Sequence, residues 1–271
     1  MICPATCCPV SGCGIITAHA ARILETVDNE KAKEVWQHYW AQNRDEELSL
    51  DGMSRTILSE LLRNCGDVAR RKVLEAGCGR GLISAELASC GADVSLLDAS
   101  EEALQIARKH FAAQNLDAFF VQGDILSLPF GDSTFDIVWN AGVMEHFEGS
   151  LRETAVRGIA QRIRPAGLFV SFNPSADAFF YTLGKKFAEK RGKWPYGPEF
   201  PLKSLAEECN AAGLTVMKEY QICFKENLSY LSYVSKHLRS IVKLMVRPFS
   251  QEFLTEVFGG YLLVTVAQKR G

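Results

Sequence analysis

The sequence predicts an α/β fold with a mostly parallel sheet and helices on both of its faces, and three observations predict it. Strand-like apolar runs alternate with helix-like segments at short spacing from about 70 to 172. The first such run, in VLEAGCGRG at 73–81, passes directly into a bend with glycines at 77, 79 and 81. Acidic residues then stand at the ends of three successive predicted strands, at Glu75, Asp98 and Asp124. Ligands of open α/β sheets bind at the carboxyl edge, so polar groups gathered there point to a nucleotide-like guest.

The elements follow in chain order. Between Thr17 and Asn43, Ile23, Leu24, Val27, Val35, Trp36, Tyr39 and Trp40 recur at loosely helical spacing. Ser54 can cap a second helix that carries Ile57, Leu58, Leu61 and Leu62 on one face. Residues 72–76 read as strand one, followed by the glycine bend and a helix through Ala88. DVSLLD at 93–98 reads as strand two. The helix after it runs to about 114, with Glu101 and Glu102 in the first turn, where the helix dipole favours acids. AFFVQ at 118–122 is strand three and ends at Gly123-Asp124. The turn at Phe130-Gly131-Asp132-Ser133 leads into strand four, FDIVWN at 135–140. A helix over about 150–162 stops at Arg164-Pro165-Ala166-Gly167, and LFVSF at 168–172 is strand five.

Beyond Asn173 the alternation is interrupted twice. Residues 174–200 are rich in aromatics and turn formers, and 223–258 form a second excursion. Between them lie a helix at about 201–212 and a strand near 214–222; YLLVTVA at 261–267 is the final strand. Two excursions near one edge of a sheet are well placed to cap a pocket.

Composition narrows the function. The chain has 271 residues, 47% hydrophobic and 23% charged, as in an ordinary globular protein with one good core. Its formal net charge of −2 gives no electrostatic reason to expect nucleic acid. No run approaches the ~18 apolar residues of a membrane span. The first basic residue is Arg22, so the amino end lacks the charged start of a signal peptide. Nine cysteines without paired spacing read as reduced thiols, which predicts a cytoplasmic location. Cys3, Cys7, Cys8 and Cys13 match no zinc or cluster spacing, so residues 1–20 are expected to form a mobile tail and no metal site is assigned.

The glycine bend also says which nucleotide to expect. Without a Cβ, glycine takes positive φ and lets a ligand approach the bare backbone. A dinucleotide fingerprint requires G-x-G-x-x-G, but here the third glycine arrives one residue early and Leu82 occupies its place. A pyrophosphate is therefore not the favoured guest.

Taken together, VLEAGCGRG, DVSLLDAS, GDILSLPF, FDIVWNAGVMEHF and RPAGLFVSF resemble, in order and spacing, the class I S-adenosylmethionine-dependent methyltransferases acting on small molecules, the methyltransferase type 11 group. The stretch GLISAELASCGADVSLLDAS is most similar to ubiquinone-pathway O-methyltransferases, in the half of the domain that holds the cofactor. The resemblance implies a Rossmann-like sheet, mostly parallel with an antiparallel final strand. It further implies an N-terminal helical lid over 21–66 and a methyltransferase domain over 67–271, with substrate-side insertions at about 174–200 and 223–258.

It also implies a role for each site residue. The backbone at Gly77, Cys78, Gly79 and Gly81 would lie against the methionine part of S-adenosylmethionine, near a helix amino terminus that favours its carboxylate. Glu75 would steer the amino group. Asp98 would accept both ribose hydroxyls, with Ala99 against the base, because a carboxylate can take two donors at once. Asp124 and Ile125 would read the adenine edge, and Asn140, Ala141 and Gly142 would border the sulfonium. Tyr39 and Trp40 would cover the cofactor from the lid, where a ring face favours a cation. Each also has a plainer reading: Asp98 as a helix cap, Asp124 as a turn residue, the aromatics as core. His146 is the catalytic candidate, with an ordinary pKa suited to a base; the alternative is that it only orders the loop after strand four.

The resulting expectation is methyl transfer to a small organic acceptor. O-methylation is favoured, and a hydrophobic or lipid-like substrate is one option. The rival is a catalytically silent relative that binds the cofactor or a partner. Partners reduce to a small-molecule substrate without nucleic acid, and the oligomeric state is not legible. Over 228–249 a basic amphipathic pattern suits either an anionic membrane or packing as a lid with its charges solvated, and the second is favoured.

Overall fold

Seven strands form one sheet: β1 (Lys72–Ala76), β2 (Asp93–Asp98), β3 (Phe119–Gln122), β4 (Phe135–Ala141), β5 (Ile163–Pro174), β6 (Leu214–Ile222) and β7 (Leu262–Lys269). The computed structural model describes residues 33–42 and 49–271; the expected tail at 1–20, and 21–32 and 43–48 of the expected lid segment, lie outside the described residues. The strand order is β3-β2-β1-β4-β5-β7-β6. β1 runs parallel to β2 and β4, and β7 runs antiparallel to both β5 and β6. The predicted mostly parallel sheet with an antiparallel final strand is therefore the observed one.

Helices are α1 (33–42), α2 (Gly52–Cys65), α3 (Leu82–Ser89), α4 (Glu101–Ala113), α5 (Ser150–Arg162), α6 (Phe179–Lys190), α7 (Ala206–Ala211), α8 (Phe224–Asn227), α9 (Lys236–Val246) and α10 (Gln251–Phe258). The sheet residues alternate between two cores. Val73, Val94, Leu96 and Trp139 pack against Ile57, Leu61, Leu104 and Phe111 from α2 and α4. Leu74, Leu97, Val138 and Phe169 pack on the other side against Val156 and Ile159 of α5 and Cys209 of α7. Strands covered on both faces must be apolar nearly throughout, which is why they read as unbroken hydrophobic runs.

Local chemistry explains the boundaries. Ser100 caps α4 by accepting the N–H of Ala103. At α2 the cap is Asp51, whose carboxylate accepts the N–H of Ser54 at 2.7 Å, so the helix starts earlier than a Ser54 cap would allow. β5 begins at Ile163, ahead of the expected 168. Arg164-Pro165-Ala166-Gly167 forms an irregular entry with Ala166 left-handed at φ 63, and the pairing shifts between Phe135 and Ile137. The strand bulges there instead of stopping.

The two excursions share a small core of their own. Phe224, Leu228, Leu231 and Leu254 are buried together, with Phe180, Leu183, Val242 and Val246 leaning on them. α9 docks by one edge only: it fully buries no residue, and Ile241, Leu244 and Met245 stay exposed. The expected packing of its apolar face is thus partial. Among the described residues no helix is long and apolar enough to cross a membrane.

Candidate functional site

The chain lays β1, β2 and β3 outward in one direction, then returns to place β4 on the other side of β1. At such a switch point the loops after neighbouring strands part and leave a crevice. Here that crevice is a hollow of about 290 Å³, and Glu75, Asp98 and Asp124 all line it. The three carboxylates predicted from strand ends are therefore brought together.

The glycine bend forms one wall. The N–H groups of Gly77 and Cys78 both donate to the Leu97 carbonyl, at 2.8 and 3.0 Å, which pins the bend to β2. Gly79 and Gly81 have φ of 50° and 64°. A Cβ on Gly79 would lie 2.7 Å from the Trp40 ring, and one on Gly81 would lie 2.5 Å from Leu96. Only bare backbone fits at both places.

Glu75 is buried, and its Oε2 has no hydrogen-bond partner. Burial pushes its pKa well up, opposed by the nearby Ser84 hydroxyl and reinforced by the charge of Asp98. An orphaned carboxylate oxygen at the edge of a hollow is costly unless a donor arrives, and a ligand ammonium would be such a donor. Asp98 accepts the N–H of Gly79 at 2.8 Å and that of Ser100 at 2.9 Å. Burial raises its pKa, and those backbone donors hold it back. Asp124 accepts the N–H of Leu126 at 2.9 Å and meets Lys33 Nζ of α1 at 2.8 Å. Cys78 is buried, and burial pushes its thiol pKa well up, so it acts as a wall and not as a nucleophile.

Lys33, Trp36 and Trp40 of α1 close the hollow from above. Trp36 stacks between Trp40 and Tyr196, at 6.1 Å from each, and meets the His146 ring edge-on at 5.3 Å. Tyr39 does not line the hollow; it packs edge-on against Trp40.

His146 lines the hollow too, from the short 3-10 turn Met144–His146 after β4. Its Nδ1 lies 3.0 Å from the Pro198 carbonyl. A carbonyl only accepts, so Nδ1 carries the hydrogen and Nε2 of the neutral ring keeps a lone pair. Burial lowers the pKa of His146, the Pro198 bond opposes this, and the Lys185 charge adds to it.

Behind His146 sits an acidic cluster. Ligand-capable atoms of Glu145, His146 and Glu199 lie within 4.8 Å of one another, the one group among the described residues that could hold a metal ion. Glu145 is buried with Oε2 unpartnered; burial, then the charge of Glu199, pushes its pKa well up. Burial raises Glu199 to about 7, although the Tyr181 hydroxyl donates to it at 2.6 Å. No metal ligand is marked in the sequence, because Glu199 belongs to the first insertion and stands in no motif.

Of the other expected residues, Ala99, Ile125 and Ala141 line the hollow and Asn140 does not. Asn140 is buried in a polar chain: Ser171 Oγ donates to its Oδ1 at 2.6 Å, Asn173 Nδ2 donates to Ser171, and Asn173 Oδ1 accepts the Met144 N–H at 3.1 Å. That chain anchors the turn carrying His146. Gly142, expected beside Ala141, lines the hollow as well, and Lys33, Trp36, Val143 and Phe147 line it without having been expected. Trp36 had a sequence signal, since it lies one helical turn before Trp40 and so on the same face.

A methyltransferase-domain family model matches residues 73–167. The chain is 31% identical over 185 residues to a ubiquinone biosynthesis O-methyltransferase of Aromatoleum aromaticum, covering 65% of this chain and 77% of that protein. To the enzyme of that name from Nitrosococcus oceani it is 26% identical over 227 residues, covering 77% and 95%. Among solved structures, an S-adenosylmethionine-dependent methyltransferase from Mesorhizobium loti superposes with a TM-score of 0.58 at 18% identity, covering 82% of this chain and all of that one. The N-methyltransferase NodS of Bradyrhizobium japonicum, in complex with S-adenosyl-L-homocysteine, gives 0.58 at 14% identity, covering 86% and 98%. These two structures speak for the fold, whereas the sequence relatives carry the family. The chain belongs to the class I S-adenosylmethionine-dependent methyltransferases and is an enzyme that uses S-adenosylmethionine as its methyl donor.

Proposed function

We propose that this enzyme transfers a methyl group from S-adenosylmethionine to a hydroxyl oxygen of a small, largely apolar acceptor. The observation that carries this is His146, which shares the hollow with Glu75, Asp98 and Asp124 and keeps Nε2 available as a proton acceptor. The donor, when bound, supplies a methyl on positively charged sulfur, so the protein's part is positioning, exclusion of water and removal of one proton. Glu75 would take the donor's ammonium, Asp98 its ribose hydroxyls, and Asp124 with Ile125 its base. The bend at Gly77, Cys78, Gly79 and Gly81 would receive the methionine part. α1 serves as part of a lid, which its Trp40–Gly79 contact and Lys33–Asp124 pair support.

A hydroxyl acceptor fits because a phenol must lose its proton as oxygen attacks, and a neutral imidazole can take it. The relatives named ubiquinone biosynthesis O-methyltransferase support the same choice of atom. Val143, Phe147 and Trp36 make the wall near His146 apolar, which supports a hydrophobic acceptor. Five described cysteines are free thiols, four of them buried, which supports a reducing, cytoplasmic setting. Incubation with labelled donor and a panel of phenols, catechols, amines and carboxylates tests the proposal. Labelled ethers from hydroxyl acceptors are expected, and labelled products from amines alone would overturn it.

A further inference from the structure

The insertion that crosses the end of the sheet carries a face unlike the rest of the surface. On α9, Leu238, Ile241, Leu244 and Met245 are 41%, 58%, 68% and 68% exposed. Phe249 and Phe253, in the turn after it and on α10, stack at 5.5 Å and are 46% and 47% exposed. Single exposed apolar residues need no explanation, but a contiguous run on one helix and its successor does. At 3.6 residues per turn, the inner edge of α9 is Val242 and Val246, which lean on the small core. From that edge the apolar arc continues round one flank through Leu238, Met245 and Ile241 to Leu244, and this part faces outward.

Charge says what covers it. Along α9 and the turn after it, from 227 to 251, no aspartate or glutamate occurs, whereas Lys236, Arg239, Lys243 and Arg247 do; the exposed Glu252 and Glu256 of α10 begin only beyond this strip. Lys236, Lys243 and Arg247 are exposed, and none of these three pairs with an acid among the described residues. Lys243 and Arg247 converge with Lys225 on an open hollow between α8 and α9 whose other walls include Leu228, Leu244 and Val246. Cations beside apolar walls match an anionic headgroup above acyl chains. A protein partner or a second copy would have to match an acid-free strip with a surplus of its own carboxylates.

We propose that α9 and the turn after it dock on an anionic phospholipid bilayer, with α9 lying in the plane of the interface. Ile241, Leu244, Met245 and Phe249 enter the headgroup–acyl boundary, and Lys243 and Arg247 contact lipid phosphates. The helix is 11 residues long and does not span. The attachment is peripheral and reversible, as one amphipathic helix with a few cations allows. It holds the enzyme at a membrane surface whatever the acceptor proves to be.

Co-flotation of the full chain with vesicles tests this. One set is phosphatidylcholine alone and the other phosphatidylcholine mixed with phosphatidylglycerol. The protein should float with the mixed vesicles, much less with the neutral ones, and progressively less as salt rises. Lys243→Ala with Arg247→Ala should weaken binding at least ~10-fold, and Ile241→Asp with Leu244→Asp should abolish it. Because these side chains are exposed, both variants should keep the thermal midpoint and the affinity for S-adenosylhomocysteine. Equal flotation with both vesicle types, or no loss in the aspartate variant, would overturn the proposal. So would a dimer in light scattering that the aspartate substitutions dissolve while lipid binding is absent; the face would then belong to a second copy.

Discussion

The Asp98 carboxylate reaches back from the end of β2 and accepts the N–H of Gly79 at 2.8 Å, fastening the donor's proposed ribose acid to the middle of the glycine bend. One residue thus shapes the cradle and would also hold the guest.

From this coupling, Asp98→Ala should weaken binding of S-adenosylhomocysteine by about 100-fold or more, since two charge-assisted bonds are lost and the bend is freed. Titration calorimetry reads it. The fold should persist, because the strand's apolar core at Val94, Leu96 and Leu97 is untouched. Donor affinity equal to that of the unaltered protein would remove Asp98 from the site.

His146→Ala should lower kcat by about 10²–10⁴-fold, the usual contribution of a positioned base, while donor affinity changes little. Burial lowers the pKa of His146, so the ring stays neutral at and somewhat below the ordinary histidine value. The acid limb of kcat against pH should therefore fall below ~6.5 and vanish in the variant. A variant with unaltered kcat would reduce His146 to a loop-ordering residue.

The sheet and its carboxylates were legible in the sequence because they rest on local signals. The strands at 72–76, 93–98 and 214–222 are bounded by turn formers and coincide with β1, β2 and β6. Glu75, Asp98 and Asp124 converge because strand ends of a parallel sheet share an edge. Asn140 stays out of the lining because alternation along β4 turns successive side chains to opposite faces, and its side chain meets Ser171 inside the sheet. Glu199 was invisible for another reason: its raised pKa and its place beside Glu145 arise from packing across an insertion with no periodic pattern. The outward face of α9 was readable as amphipathic, but which part of its apolar arc meets the protein depends on tertiary contacts.

Trp40 covers Gly79 so closely that a Cβ there would strike its ring. Trp40→Ala should open the hollow and weaken donor binding by about tenfold, with a faster off-rate, because one ring face against a cation contributes on the order of 1–2 kcal/mol. Stopped-flow fluorescence follows it, since quenching on donor binding should shrink when this indole is removed. An unchanged off-rate would show that α1 does not act as a lid.

The Glu145–Glu199 pair makes stability depend on pH with a definite sign. Burial holds Glu199 near 7 and Glu145 well above its usual range, so the native state keeps protons that the unfolded chain releases near 4.5. Where the native state binds more protons, stability falls as pH rises. The contribution is full below about 4.5 and is lost as pH climbs through about 7, with Lys185 close enough to offset part of it. Tyr181 donates to Glu199 in both regimes, so its bond does not reverse the trend. Glu199→Gln should remain folded, keep the Tyr181 contact and flatten the slope between pH ~5 and ~8 by on the order of 2 kcal/mol. Urea unfolding at the two pH values measures it. A wild-type protein that gains stability over this interval, or a variant with the same slope, would mean that the two carboxyls ionise freely and that the cluster behind His146 is wetter than its burial implies.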